Sequence, residues 1–166
     1  MDINGLPAHV LVVHGAVVFA PLAALAAILL GVVPRWRYLT RWPALVLAVV
    51  ATATVWLARI SGDAFFDSRF ASLPADNPVL AAITEHQDRG ETLSLVVLGL
   101  LVVTAAGSWF LGGPSGFASG RGAKERAASW LETGLPVLLV LVSLATLAYA
   151  FLTGDAGARA TWEQQG

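Results

Sequence analysis

Residues Leu6–Gly31, "LPAHVLVVHGAVVFAPLAALAAILLG", hold two of the chain's three histidines and then run without a charge to the next loop. A helix crossing about 30 Å of hydrocarbon needs roughly 20 apolar residues. This stretch is long enough. A secretory signal would show a basic start and an apolar core of only about 7–15 residues. Met1–Pro7 carries no Lys or Arg, so the segment reads as a retained spanning helix.

The rest of the 166-residue chain repeats the pattern. Trp42–Ala58, Thr92–Ser119 and Thr133–Gly154 are likewise uncharged, and each contains a stretch of spanning length. Composition agrees: 57% of residues are hydrophobic and 13% charged, against about 25% charged in a soluble domain. The expected fold is an all-α integral membrane four-helix bundle in one domain, 1–166. Its helices should cover about 8–33, 42–61, 78–112 and 130–153, forming two similar antiparallel hairpins. The third helix begins outside the membrane, with Asn77 as N-cap and Pro78 at the first helical position.

Charge orients the bundle. "PRWRYLTRW" carries Arg35, Arg37 and Arg41 without an acid, and "GGPSGFASGRGAKER" carries Arg121, Lys124 and Arg126 against Glu125. The opposite side holds four arginines and nine of the eleven acids. Short basic loops stay cytoplasmic, which puts both termini and Ser61–Glu91 outside, in a multi-pass protein of the cell membrane. Trp36, Trp42, Trp109 and Trp130 then form an inner aromatic belt.

That topology gathers His9, His14 and His86 at the outer end with most of the acids. "ISGDAFF" (Ile60–Phe66) and "LTGDAGA" (Leu152–Ala158) recur at the same end of the two hairpins, matching Asp63 with Asp155. Two parallel repeats would share an axis along the membrane normal. The H-x4-H register of the first helix pairs His9 with His86 and His14 with Glu91; the alternative pairs His14 with His86. Five residues separate His9 from His14, roughly 140° around a helix. His9 shares a face with Ala16, Ala20, Ala27 and Gly31, a stripe suited to close helix approach, and His14 points elsewhere. His86 falls on the apolar face Val79, Ile83, His86, Gly90, Leu93, with Gly90 leaving room beside the ring. Glu85 and Arg89 are placed to pair outside.

These residues support three readings. Axial histidines from facing helices would hold haem b, with His14, His86 and Gly90 as the cofactor site. A His and carboxylate cluster, drawn from His14, His86, His9, Glu91, Asp63 and Asp155, would hold a transition metal. Asp63 and Asp155 also suit a helix-end turn after Gly. Histidines satisfied by single interhelical bonds would make the protein a non-catalytic structural subunit or partner of a larger membrane complex. No phosphate-binding loop, zinc-protease motif or nucleophile elbow occurs. The few split basic residues give no nucleic-acid footprint. Partners beyond the lipid bilayer would be redox membrane proteins or a second copy.

The chain resembles a bacterial family of small four-helix membrane proteins known as a domain of unknown function. The matching residues are "LPAHVLVVHGAVV", "SGDAFFD", the His of "EHQDRGE", and "LTGDAGARATW" with its T-G-x-x-G. The resemblance implies the four-helix fold over nearly the whole chain and haem or metal held by histidines in a redox setting. Members often carry Pro where this chain has Val10, and His where it has Asp155.

Overall fold

A computed structural model describes residues 2–3, 6–74, 76–111 and 129–163. The basic segment with Arg121, Lys124 and Arg126, and the side chain of Trp130, lie outside that description. Four helices account for most of the described residues: α1 (Ala8–Val32), α2 (Arg37–Arg69), α3 (Pro78–Phe110) and α4 (Ser129–Glu163). A two-residue antiparallel ladder, Asp2–Ile3 with Leu6–Pro7, precedes α1. A 3-10 turn, Pro34–Trp36, joins α1 to α2. All four helices are long and apolar enough to cross a membrane, so the expected all-α membrane bundle is the observed architecture.

Three boundaries differ from expectation. Helix α2 runs on to Arg69 and α4 to Glu163, so Asp63 and Asp155 sit inside helices rather than in terminal turns. Glycine stops a helix only where the chain needs a left-handed residue; here Gly62 and Gly157 remain helical and face histidine rings. Helix α2 also begins early. Arg37, 7% exposed, turns its guanidinium back onto the last carbonyls of α1, Leu30 O and Gly31 O, both at 3.2 Å. That satisfies acceptors which α1 leaves unpaired, and places a cation at the negative end of its dipole. At the start of α3, Val79 N donates to the Asn77 side chain at 2.9 Å, as the sequence suggested.

The helices pack in a ring, α1–α2–α3–α4, most closely within the two hairpins. In lipid there is no hydrophobic drive between helices, so small residues that let backbones approach matter most. Ala16, Ala20 and Ala27 of α1 are all buried, as are Ala23 and Ala24. The repeat is visible in burial: positions 16, 20, 23 and 27 stand to His9 as the buried Leu93, Val97, Leu100 and Thr104 stand to His86. Alanines on α1 thus hold the inward positions that larger side chains hold on α3, so the two halves bury the same positions with different volumes. Within the membrane, Thr52, Thr54 and Thr146 bond back to carbonyls of their own helices at 2.8–2.9 Å. Thr104 and Ser143 differ, since their buried hydroxyls have no partner.

The helices are unequal in reach. At about 1.5 Å per residue, 33 residues extend roughly 50 Å, well beyond about 30 Å of hydrocarbon. His9 lies level with Ala58 and Gly62, so α2 continues for two turns above the start of α1, and α3 likewise begins two turns above His86. The bundle is therefore taller than α1 at the histidine end.

Candidate functional site

His9 and His86 meet across the bundle axis. Their ring centroids are 6.3 Å apart with planes at 76°. His9 Nδ1 donates to Ala58 O at 2.9 Å, and His86 Nδ1 donates to Thr153 O at 2.9 Å. A carbonyl has no proton to give, so each Nδ1 carries the hydrogen, and in the neutral ring Nε2 is the nitrogen with the lone pair. Each ring lies against a glycine four residues beyond its carbonyl partner. A Cβ on Gly62 would stand 3.0 Å from His9 Cε1, and one on Gly157 2.9 Å from His86 Cε1. The two halves of the site are thus built alike: a histidine on the first helix of a hairpin, seated on a carbonyl and a glycine of the second.

This arrangement selects the first register and corrects the second. His86 is paired with His9, and His14 with Glu91. The "SGDA" match, in contrast, is displaced: Gly62 corresponds to Gly157, three residues past the Gly154 that sequence similarity aligns with it. A slip of three residues is nearly one helical turn, so it preserves the helix face and escapes detection by pattern. Asp63 and Asp155 are consequently not equivalent. Asp63 is exposed at the edge of the site. Asp155 bonds Arg159 at 2.5 Å and is not part of the cavity lining.

His14, expected to face His86, is exposed, and its Nδ1 bonds Val10 O of its own helix at 2.6 Å. His9 lies on the alanine stripe and His14 is turned away from it, as their separation of roughly 140° around the helix requires, and the depth of His14 in the apolar run does not bring it to His86. Gly90 does not seat His86; a Cβ there would touch only Thr153 Cγ2 at 3.9 Å. Glu91 is held by Arg59 at 2.8 Å, and Glu85 pairs with Arg89 as expected. Among the described residues no three His, Asp or Glu side chains form a group that could hold a metal ion. All of the six proposed metal ligands but Asp155 line one cavity, yet they do not converge on a point: two rings meet at the axis, His14 is exposed and bonded to its own helix, Glu91 is held by Arg59, and Asp63 is exposed. Ala58, Gly62, Thr153 and Gly157 were missed as site residues. Their signal is present as a small residue, three of any kind, then Gly, before the end of both second helices.

Around the rings all four helices line a cavity of about 580 Å³, within the roughly 300–1,000 Å³ of small-molecule and cofactor sites. Its walls are mostly apolar, among them Val13, Val55, Ile83 and Leu93, with Phe65 stacked on His9 at 6.2 Å. Arg59 is the one arginine in the lining, which also includes Asp63, Asp88 and its ion-pair partner Glu91. The Thr153 hydroxyl in the wall is buried without a partner.

No known protein family, curated protein or solved structure matches the chain.

Proposed function

We propose that the protein is a membrane-embedded haem b carrier in which His9 and His86 would hold the haem iron. The observation that carries the reading is the separation of the rings together with their anchoring. Two metal–nitrogen bonds of about 2 Å, plus roughly 1 Å from each nitrogen to its ring centre, require centroids about 6 Å apart; they stand 6.3 Å apart. A ligating histidine typically donates its other N–H to a carbonyl or carboxylate, which fixes tautomer and orientation, and both rings do so. The donor set fits haem better than a small ion, since two imidazoles without a converging third ligand leave an ion undercoordinated.

Haem bound there would supply one-electron transfer. The chain's own contribution is mechanical and electrostatic. Ala58 O and Thr153 O hold the imidazoles with Nε2 free, Gly62 and Gly157 let the rings lie flat on the helices, and the apolar walls restrict water. Short basic loops favour the cytoplasmic side, which supports an outward position for this end of the bundle, so the protein would serve electron transfer at the extracytoplasmic surface, with redox membrane proteins as partners.

Titration of the purified protein with hemin tests the reading. The expected result is a sharp Soret band of a six-coordinate low-spin haem, lost in both His9→Ala and His86→Ala and retained in His14→Ala. A folded protein that takes up no hemin would overturn it, as would a six-coordinate spectrum surviving loss of either ring. If those substitutions lower only thermal stability, the rings are interhelical latches and the bundle is a structural partner in a larger complex.

A further inference from the structure

The two seams between the hairpins are closed differently. In the histidine half, four hydrogen bonds cross from α2 to α3. Thr52 Oγ1 donates to Val97 O at 3.3 Å, Trp56 Nε1 to Ser94 O at 3.2 Å, and Arg59 to Ser94 Oγ at 3.0 Å and Glu91 Oε1 at 2.8 Å. The pseudo-two-fold carries this seam onto the one between α4 and α1, where none of these groups recurs. After Ala58 comes Arg59, but after Thr153 comes Gly154. Five residues past His86 is Glu91, but five past His9 is His14. Ser94 becomes Val17, and Trp56 becomes Phe151, which is 73% exposed and directed outward. In that half, no hydrogen bond joins α1 to α4 among the described residues, and His14 bonds its own helix.

The unbonded seam also reaches the cavity. Val10, His14, Val17, Gly154 and Ala158 all line it, and a side chain on Gly154 would meet nothing within 4 Å. On the outer side of α1, Leu11 and Val18 are 43% and 53% exposed, a surface for lipid. Between helices in lipid, contacts among aliphatic side chains are exchanged for equivalent contacts with acyl chains, whereas each interhelical hydrogen bond adds a net attraction. The α1–α4 seam is therefore the one that parts at little cost.

We propose that the cavity opens sideways into the bilayer between α1 and α4, and that its ligand is a lipid-partitioning molecule that enters by this route. The proposal deepens the haem reading and rests on it only for the ligand's identity. The route itself is testable without haem, because the chain has no cysteine and Ala150 lines the cavity. In vesicles, Ala150→Cys should react several-fold faster with a lipid-partitioning N-alkyl maleimide than with a sulfonated one. Adding His14→Glu with Gly154→Arg, which copies the Arg59–Glu91 bridge into the open seam, should slow the lipid-borne reagent at least tenfold and leave the charged reagent unaffected. Gly154→Leu, a plug that needs no ion pair, should do the same. Arg59→Gln, which removes two of the four bonds of the other seam and leaves Thr52 and Trp56 holding it, should not accelerate labelling. Unchanged labelling in both closing variants, or acceleration by Arg59→Gln, overturns the proposal. Hemin uptake from vesicles, slowed by the same closing variants with its final spectrum intact, separates the two ideas. Labelling that follows the route in a protein that binds no hemin would sink the haem reading alone. Bis-histidine binding with indifferent labelling would sink the route alone.

Discussion

Replacing Gly157 by alanine, with Gly154 as the reference three residues away on α4, isolates the seat of His86. Both positions are helical, and Gly to Ala in a helix is worth about 0.8–1 kcal/mol of added stability where the methyl is unopposed. At Gly154 it is unopposed, so Gly154→Ala should stabilise by up to that amount. At Gly157 the new Cβ would stand 2.9 Å from Cε1 and 3.0 Å from Nδ1 of His86, closer than carbon and nitrogen atoms pack. The ring must move, and moving it breaks the 2.9 Å bond to Thr153 O, worth about 1 kcal/mol net. Strain in the displaced side chain adds about 0.5–1.5 kcal/mol. Gly157→Ala should therefore be about 1.5–2.5 kcal/mol less stable than Gly154→Ala, read from denaturation midpoints in the same detergent. In a His86→Ala background the difference should vanish, because the clash and the bond are both gone; such a cycle isolates the pairwise term. If both alanine variants are equally tolerated, or if the difference persists without the ring, Gly157 is not the seat of His86.

Three further outcomes follow from the same geometry. His14→Ala should change stability by less than about 0.5 kcal/mol, since an exposed ring bonded within its own helix belongs with ordinary surface positions; a thermal scan checks this, and a large loss would restore His14 to the site. Ala20→Leu should destabilise by about 1–3 kcal/mol through overpacking, because Ala20 is 0% exposed; a neutral result in the same denaturation assay would mean that α1 is not held at close approach. Arg37→Ala should cost about 1–3 kcal/mol by leaving Leu30 O and Gly31 O without their donor, measurable as a lowered midpoint that Arg37→Lys restores only in part.

The sequence alone determined that the chain crosses a membrane four times as two like hairpins. Apolar run length is a local quantity: each block from Val10, Trp42, Thr92 and Thr133 declares itself without reference to the others. The cap at Asn77, the Glu85–Arg89 pair and the buried alanine stripe of α1 were equally legible, because each depends only on helical periodicity within one segment. Tertiary structure decided what no single segment contains. Which histidine meets His86 depends on how far α1 is rotated against α3, and packing turns His9 inward with Ala16 and Ala20 while His14 meets the outside. The pairing of Gly62 with Gly157 rather than Gly154 was hidden because a three-residue shift keeps the same helix face, and only the contact of each ring with its glycine fixes the height. The unequal seams were hidden for a related reason. Arg59 and Glu91 are 32 residues apart in sequence, and their lack of a counterpart at Gly154 and His14 has meaning only once the two-fold that relates those positions is known.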